Sequence, residues 1–178
     1  MARSGKHDPL DRFRFRVYVL TPAGKEFARG GFTECSSPSV NIAFREYKEG
    51  GSHMNPKLLN DGATFKAITL RRGVISRPGS ADFAKWVADV FALIKDGQGP
   101  SYRRTIVIEH LDRSGAMIRR YALHNCVPTA YEPASDFSAL DDAGYSYETL
   151  TFQYEGFAEE SSDPDSEWAK SLVNKIFG

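Results

Sequence analysis

Residues 11–21, DRFRFRVYVLT, alternate without a break: Phe13, Phe15, Val17 and Val19 fall on one side, Arg12, Arg14, Arg16 and Tyr18 on the other. A period of two over this length predicts a β-strand with one buried face. The same rhythm returns along the chain. VNIAFREYKE sets Val40, Ile42 and Phe44 together, and TFKAITLRRG reads as its return strand. KEFARGGFTECSS breaks at Gly30-Gly31 and resumes as a short strand. YRRTIVIEHLDRSGAMIRRYALHNCV reads as two strands about an Asp112-Arg113-Ser114-Gly115 turn, with TAYEP extending the second. YETLTFQYEGF closes the series, with Leu150, Phe152 and Tyr154 on one face.

The period changes in SADFAKWVADVFALIKDGQG, where apolar residues recur every three or four positions. This predicts one amphipathic helix over 80–95, with Ser80 as N-cap and Gly97 and Gly99 as the stop. Phe83, Trp86, Val90 and Phe91 are its expected core face. Many short strands and one helix predict a mainly β fold, an antiparallel barrel or sandwich with the helix flanking it.

Between the VNIAFREYKE and TFKAITLRRG patterns lies a long polar connection, 45–62, YKEGGSHMNPKLLN at its heart. Hairpin loops run two to five residues, so a connection of this length predicts a functional segment. The end of the chain differs again. Residues 159–178 read as an acidic linker followed by a short helix carrying Trp168, Leu172, Val173, Ile176 and Phe177, apart from a first domain of 1–158.

The 178 residues suffice for one domain with its own core. Lys+Arg and Asp+Glu balance at 23 each, which gives no basic face for wrapping duplex nucleic acid. No apolar run reaches membrane-spanning length, and MARSGKHDPLDRF lacks the apolar segment of a signal peptide. Cys35 and Cys126 are expected as reduced, buried thiols of a protein made in the cytoplasm.

Chemistry is sparse. His7, His53, His110 and His124 stand at no metal-ligand spacing, so no metal and no cofactor is expected. His124 and Cys126, two apart on a strand, share a face, but no third group orients them as a catalytic pair. Ser36-Ser37 and Ser161-Ser162 lack a nucleophile elbow, and Gly30-Gly31 and Gly50-Gly51 match no phosphate loop. Glu46/Glu49 and Asp141/Asp142 read as solvated charge rather than catalytic pairs. The chain is therefore expected not to be an enzyme. The alternating Arg-Phe run leaves a second reading, a single-stranded nucleic-acid-binding β-barrel module. Rings and cations on opposite faces argue against it, since stacking and phosphate contact need one shared face. A sheet-rich subunit also has edges to cover, and closing copies into a ring covers them.

The order of DPLDRFRFRV, GGFTECSS, REYKEGG…NPKLL, ITLRRGV, DFAKWV, IVIEHLDRSG, YALHNCVPTAYE and YETLTFQYEGF, spanning about residues 8–158, resembles the tail tube proteins of T4-like contractile phages and the Hcp-like inner tube proteins of contractile injection systems. The resemblance implies a tube-protein barrel joined into homohexameric rings that stack into a hollow tube. It implies contractile sheath and baseplate or spike proteins as partners, cargo in the lumen, and a place in a phage tail or a released tail-like particle. Specific nucleic-acid binding is not expected. On this reading the 45–62 segment is the ring-stacking loop: Gly50 and Gly51 turn it, while Tyr47, Glu49, Lys57, Leu58 and Leu59 meet a subunit of the adjacent ring. Trp168, Leu172 and Ile176 form a partner-docking tail.

Overall fold

A computed structural model describes residues 11–48, 57–74, 82–97, 101–137 and 144–161. The chain is built from β1 (Phe15–Leu20), β2 (Glu26–Gly30), β3 (Glu34–Cys35), β4 (Val40–Tyr47), β5 (Lys57–Phe65), β6 (Ile68–Gly73), α1 (Asp82–Asp96), β7 (Arg104–Leu111), β8 (Met117–Glu132), β9 (Tyr147–Gln153) and β10 (Gly156–Ser161). The main sheet is antiparallel, with strand order β2-β1-β7-β8-β9-β6-β3 and β10 also on β8. Among the described residues β4 and β5 pair only with each other, as a separate hairpin.

β8 is the spine. Its first half pairs with β7 and β10, and its second half with β9. The strand bends at Asn125, whose φ of 54° lies in the left-handed region that asparagine tolerates better than most residues. The Asn125 side-chain amide donates to Glu155 at 2.8 Å, and the Glu155 N–H donates to the His124 carbonyl at 3.1 Å. One long strand thus serves two layers, and the core lies between them. Val17, Val19, Ile106 and Leu123 come from one layer; Ile68, Leu70, Leu150 and Phe152 from the other.

α1 begins with Asp82 in its first turn and carries Lys95 in its last, each favourable to the helix dipole. Phe83 and Trp86 are fully buried, and the Trp86 indole N–H donates to the Tyr102 carbonyl. Arg104 holds the helix to β7, with its guanidinium 2.8 Å from Asp89 and 2.7 Å from the Ser101 carbonyl. Beneath the helix the Arg72 guanidinium lies 4.2 Å from the Phe83 ring centre and pairs with Glu148 across β6 and β9. The Tyr131 hydroxyl donates to the other Glu148 oxygen at 2.8 Å. Burial, with that carboxylate close by, pushes the phenol up to about 12.

Arg72 and Glu148 are both buried, so the pair is sensitive to loss of one charge. Glu148→Gln keeps the shape and removes the carboxylate charge that faces the guanidinium. The expected cost is about 1–3 kcal/mol, read as a lower midpoint in urea unfolding followed by tryptophan fluorescence.

Several expectations need correction. The helix does not bury its whole stripe: Val90 is half-buried, and Phe91 is 64% and Ile94 74% exposed. Periodicity reports which face is apolar, not how far the layer beneath extends, and the last turns of α1 overhang it. Phe13 is exposed because residues 12 and 13 form a turn before β1. Within the connection 45–62 the described residues are strand on both sides, since pairing continues out to Tyr47 and Lys57. The return partner of β4 is β5, whereas Ile68–Gly73 belongs to the main sheet. The boundary at 158/159 falls inside β10, where Glu159 pairs with Arg119 at 3.1 Å and Glu160 with Arg120 at 3.5 Å. Acidity suggested a linker there; cross-strand arginines make it a strand. Ser80, Asp141 and Asp142 lie outside the described residues, as does the tail helix.

Candidate assembly surface: the projecting hairpin

The β4–β5 hairpin is fixed at its root and uncovered along its length. At the root, Tyr154 is buried at the end of β9, and its hydroxyl both accepts from the Ser39 N–H and donates to the Ser39 carbonyl, each at 3.0 Å. Phe65 packs its ring 5.3 Å from that of Tyr154 and 6.3 Å from that of Phe157. The Gln153 side-chain amide donates to the Phe65 carbonyl at 2.6 Å, and the Lys66 N–H to the Ser39 carbonyl at 3.2 Å. These contacts set the direction in which the hairpin leaves the body.

Beyond the root every residue of β4 is exposed, and every residue of β5 before Phe65. Eight residues of strand reach roughly 25 Å. A register shift after Ala43 leaves Asp61 as the extra residue of a bulge, and Gly62 beside it has φ of 117°, a conformation for which glycine is suited. Paired residues share a face. One face therefore carries Val40, Ile42, Phe44 and Glu46 from β4 with Ala63, Asn60 and Leu58 from β5; the other carries Asn41, Arg45, Tyr47, Thr64, Leu59 and Lys57. Phe44 is 56% and Leu58 63% exposed. An isolated two-stranded hairpin is marginally stable in water, and large apolar side chains exposed along one face in this way mark a contact surface.

The structure thus separates residues that the sequence grouped. Leu58 and Leu59 are neighbours in sequence but project from opposite faces. Leu58 joins the apolar strip, whereas Leu59 lies opposite Arg45 and next to the Tyr47–Lys57 pair. Glu49, Gly50 and Gly51 lie outside the described residues, as do His7, His53, Trp168, Leu172 and Ile176. Val40, Ile42 and Phe44 were legible as one face of a strand. Nothing in the sequence says that the body of the sheet stops at Ser39 and Lys66.

The groups considered for chemistry are placed apart. His124 is exposed and Cys126 fully buried, because the left-handed residue between them breaks the alternation that would put them on one face. Burial pushes the Cys126 thiol up to about 12, and that of Cys35 likewise. The His110 ring lies 2.9 Å from the Asp11 carbonyl. Among the described residues no group of three or more His, Cys, Asp or Glu is placed to hold a metal ion. Nor is any described helix long and apolar enough to cross a membrane. The arginines of the 11–21 stretch do not form a basic platform. Arg16 stands in register with Glu109, Arg120 and Glu160 across four strands, a row of alternating sign, with Arg120 2.9 Å from Glu109.

With this geometry, the family model of the T4-like virus tail tube protein gp19 matches residues 11–158. The chain belongs to this family. Tail tube proteins are structural, and this one has the fold of solved tube-associated chains. A chain of the anti-feeding prophage cap, described as a tube terminating cap, superimposes with a TM-score of 0.70 at 18% identity, over 90% of this chain and 97% of that one. A chain of the sheath–tube complex of an extracellular contractile injection system, PVC, in its extended state gives 0.67 at 20% identity, over 86% and 92%. A chain of the sheath/tube terminator of the same system gives 0.69 at 18% identity, over 88% and 100%. No curated protein sequence matches this tail tube protein significantly.

Proposed function

We propose that this tail tube protein forms homohexameric rings that stack into the inner tube of a phage tail or related contractile injection particle. A contracting sheath drives that tube through a target envelope, with cargo in its lumen. The work is mechanical: many moderate contacts per subunit carry the axial load, and the chain performs no catalysis. The observation that carries this reading is the hairpin, rigidly rooted by Tyr154 and Phe65 yet apolar and uncovered beyond them. A free monomer has no use for such a strip; a subunit that reaches onto another copy does. The similarity to a chain of a sheath–tube complex supports a sheath partner, and that to a chain of a prophage baseplate structure a baseplate partner.

Replacing Leu58 and Leu59 by serine tests the hairpin directly. Each leucine is exposed in the subunit and contributes roughly 1.5–3 kcal/mol when fully buried against a neighbour. Negative-stain microscopy is expected to show few or short tubes for the double variant. Since only Leu58 shares the strip with Phe44, Leu58→Ser alone should account for most of the loss. Long tubes of ordinary stability in the double variant would remove the hairpin from the assembly contact.

A further inference from the structure

A second apolar surface lies uncovered elsewhere on the subunit. The last turns of α1 overhang β8 and leave an open cleft of about 350 Å³, walled by Val90, Phe91 and Ile94 on the helix and Pro128, Ala130 and Tyr131 on the strand. Phe91 and Ile94 at its rim are among the most exposed large apolar side chains of the described residues. The cleft contains no ionisable group other than the Tyr131 phenol, whose hydroxyl is already engaged by Glu148. Nothing in it suits a charged ligand; its chemistry asks for apolar side chains.

We infer that this α1–β8 cleft receives the β4–β5 hairpin of a second copy of the chain, with Ile42, Phe44 and Leu58 seated against Phe91, Ile94 and Tyr131. The inference rests on the tube reading and names the surface that the hairpin meets. The hairpin of the same chain does not fill the cleft, for both are uncovered in one molecule and the root fixed by Tyr154 sets the hairpin's direction. The two surfaces differ in shape: the hairpin is a ridge and the cleft is concave. Ridge against ridge would be a two-fold contact that closes at a dimer. Ridge into cleft is heterologous, so every copy both gives and receives, and growth into a ring or a stack follows. Area points the same way. Seating three large side chains removes on the order of 800–1,000 Å² in total, less than the roughly 1,200 Å² of a stable isolated pair. A contact of that size holds when each copy makes it twice.

Thiol crosslinking decides it. Glu46 lies on the ridge face opposite Leu58, and Thr129 lines the cleft; both are exposed and neither is one of the apolar anchors. A chain carrying Glu46→Cys and Thr129→Cys, treated with a short bismaleimide, is expected to give a ladder of linked subunits on a denaturing gel. Either single variant alone should stay unlinked, and the two singles mixed before assembly should give linked pairs only. The wild type, with Cys126 buried and Cys35 half-buried, is the control for native thiols. A second measurement covers the outcome that the cysteines disturb assembly: Ile94→Asp, at the rim and off the core, should stop polymerisation without lowering folding stability. Linkage of Glu46→Cys to itself, tubes without any ridge-to-cleft link, or tubes built from Ile94→Asp chains would each overturn the inference and leave the tube reading standing. A wild-type chain that forms no polymer would overturn both.

Discussion

A chain carrying Ile42→Asp and Phe44→Asp is expected to fold as the wild type does and to remain a monomer under conditions where the wild type forms tubes. Both side chains are exposed in the subunit, so new carboxylates there stay hydrated and should change folding stability by no more than about 0.5 kcal/mol. In an assembled tube the same positions become buried, and each unpaired carboxylate would be taken out of water at a cost of several kcal/mol. Assembly should therefore be lost rather than weakened. Light scattering after size exclusion gives the mass, circular dichroism the fold, and negative-stain microscopy the polymer. Tubes in the double variant would mean that the apolar strip faces solvent in the assembly too.

Trp86→Ala is expected to have the largest effect on folding itself. Trp86 is fully buried beside Phe83, and its indole N–H is the donor to the Tyr102 carbonyl that pins the start of the β7 region to α1. Truncation empties the largest side-chain volume in the core and leaves that carbonyl without its donor. The expected loss is about 3–5 kcal/mol. The measurement belongs in the Ile42→Asp, Phe44→Asp background, where polymerisation cannot add to apparent stability. The Phe91→Ala change in the same background should cost well under 1 kcal/mol, because Phe91 is mostly in solvent. A near-neutral Trp86→Ala, or a costly Phe91→Ala, would reverse the division of the helix into a core half and an overhanging half.

That division shows where sequence reading works and where it stops. Alternation over 11–21 and 101–132 and the three-to-four spacing over 80–95 are local signals, and β1, β7, β8 and α1 lie within those stretches, β1 beginning only after the turn at residues 12 and 13. Each signal names a face. Whether anything covers that face is a matter of tertiary reach, which is not local. Ile42 and Phe44 carry the same pattern as Val17 and Val19, yet one pair projects into solvent and the other lies in the core. Phe91 carries the same pattern as Phe83 and sits beyond the edge of the layer below. The His124–Cys126 alignment failed for a different reason: one residue with positive φ between them reversed the alternation, and asparagine at 125 is only a weak marker of that. The hairpin was legible as a segment with a purpose, because its length and glycines fitted no compact loop. Its strand character, and the opposite directions of Leu58 and Leu59, emerged only from the pairing of Tyr47 with Lys57. The apolar residues that the subunit leaves uncovered, on the hairpin and on α1, are the ones a second copy would cover.

This 19.8 kDa chain is expected to assemble with itself into a hollow tube. Negative-stain imaging of the purified wild-type chain over rising concentration tests it most directly. Six-fold rings with an open centre that stack into tubes as concentration increases are the expected result. A monodisperse monomer at every concentration, with the hairpin in solution as it is in the subunit, would contradict it.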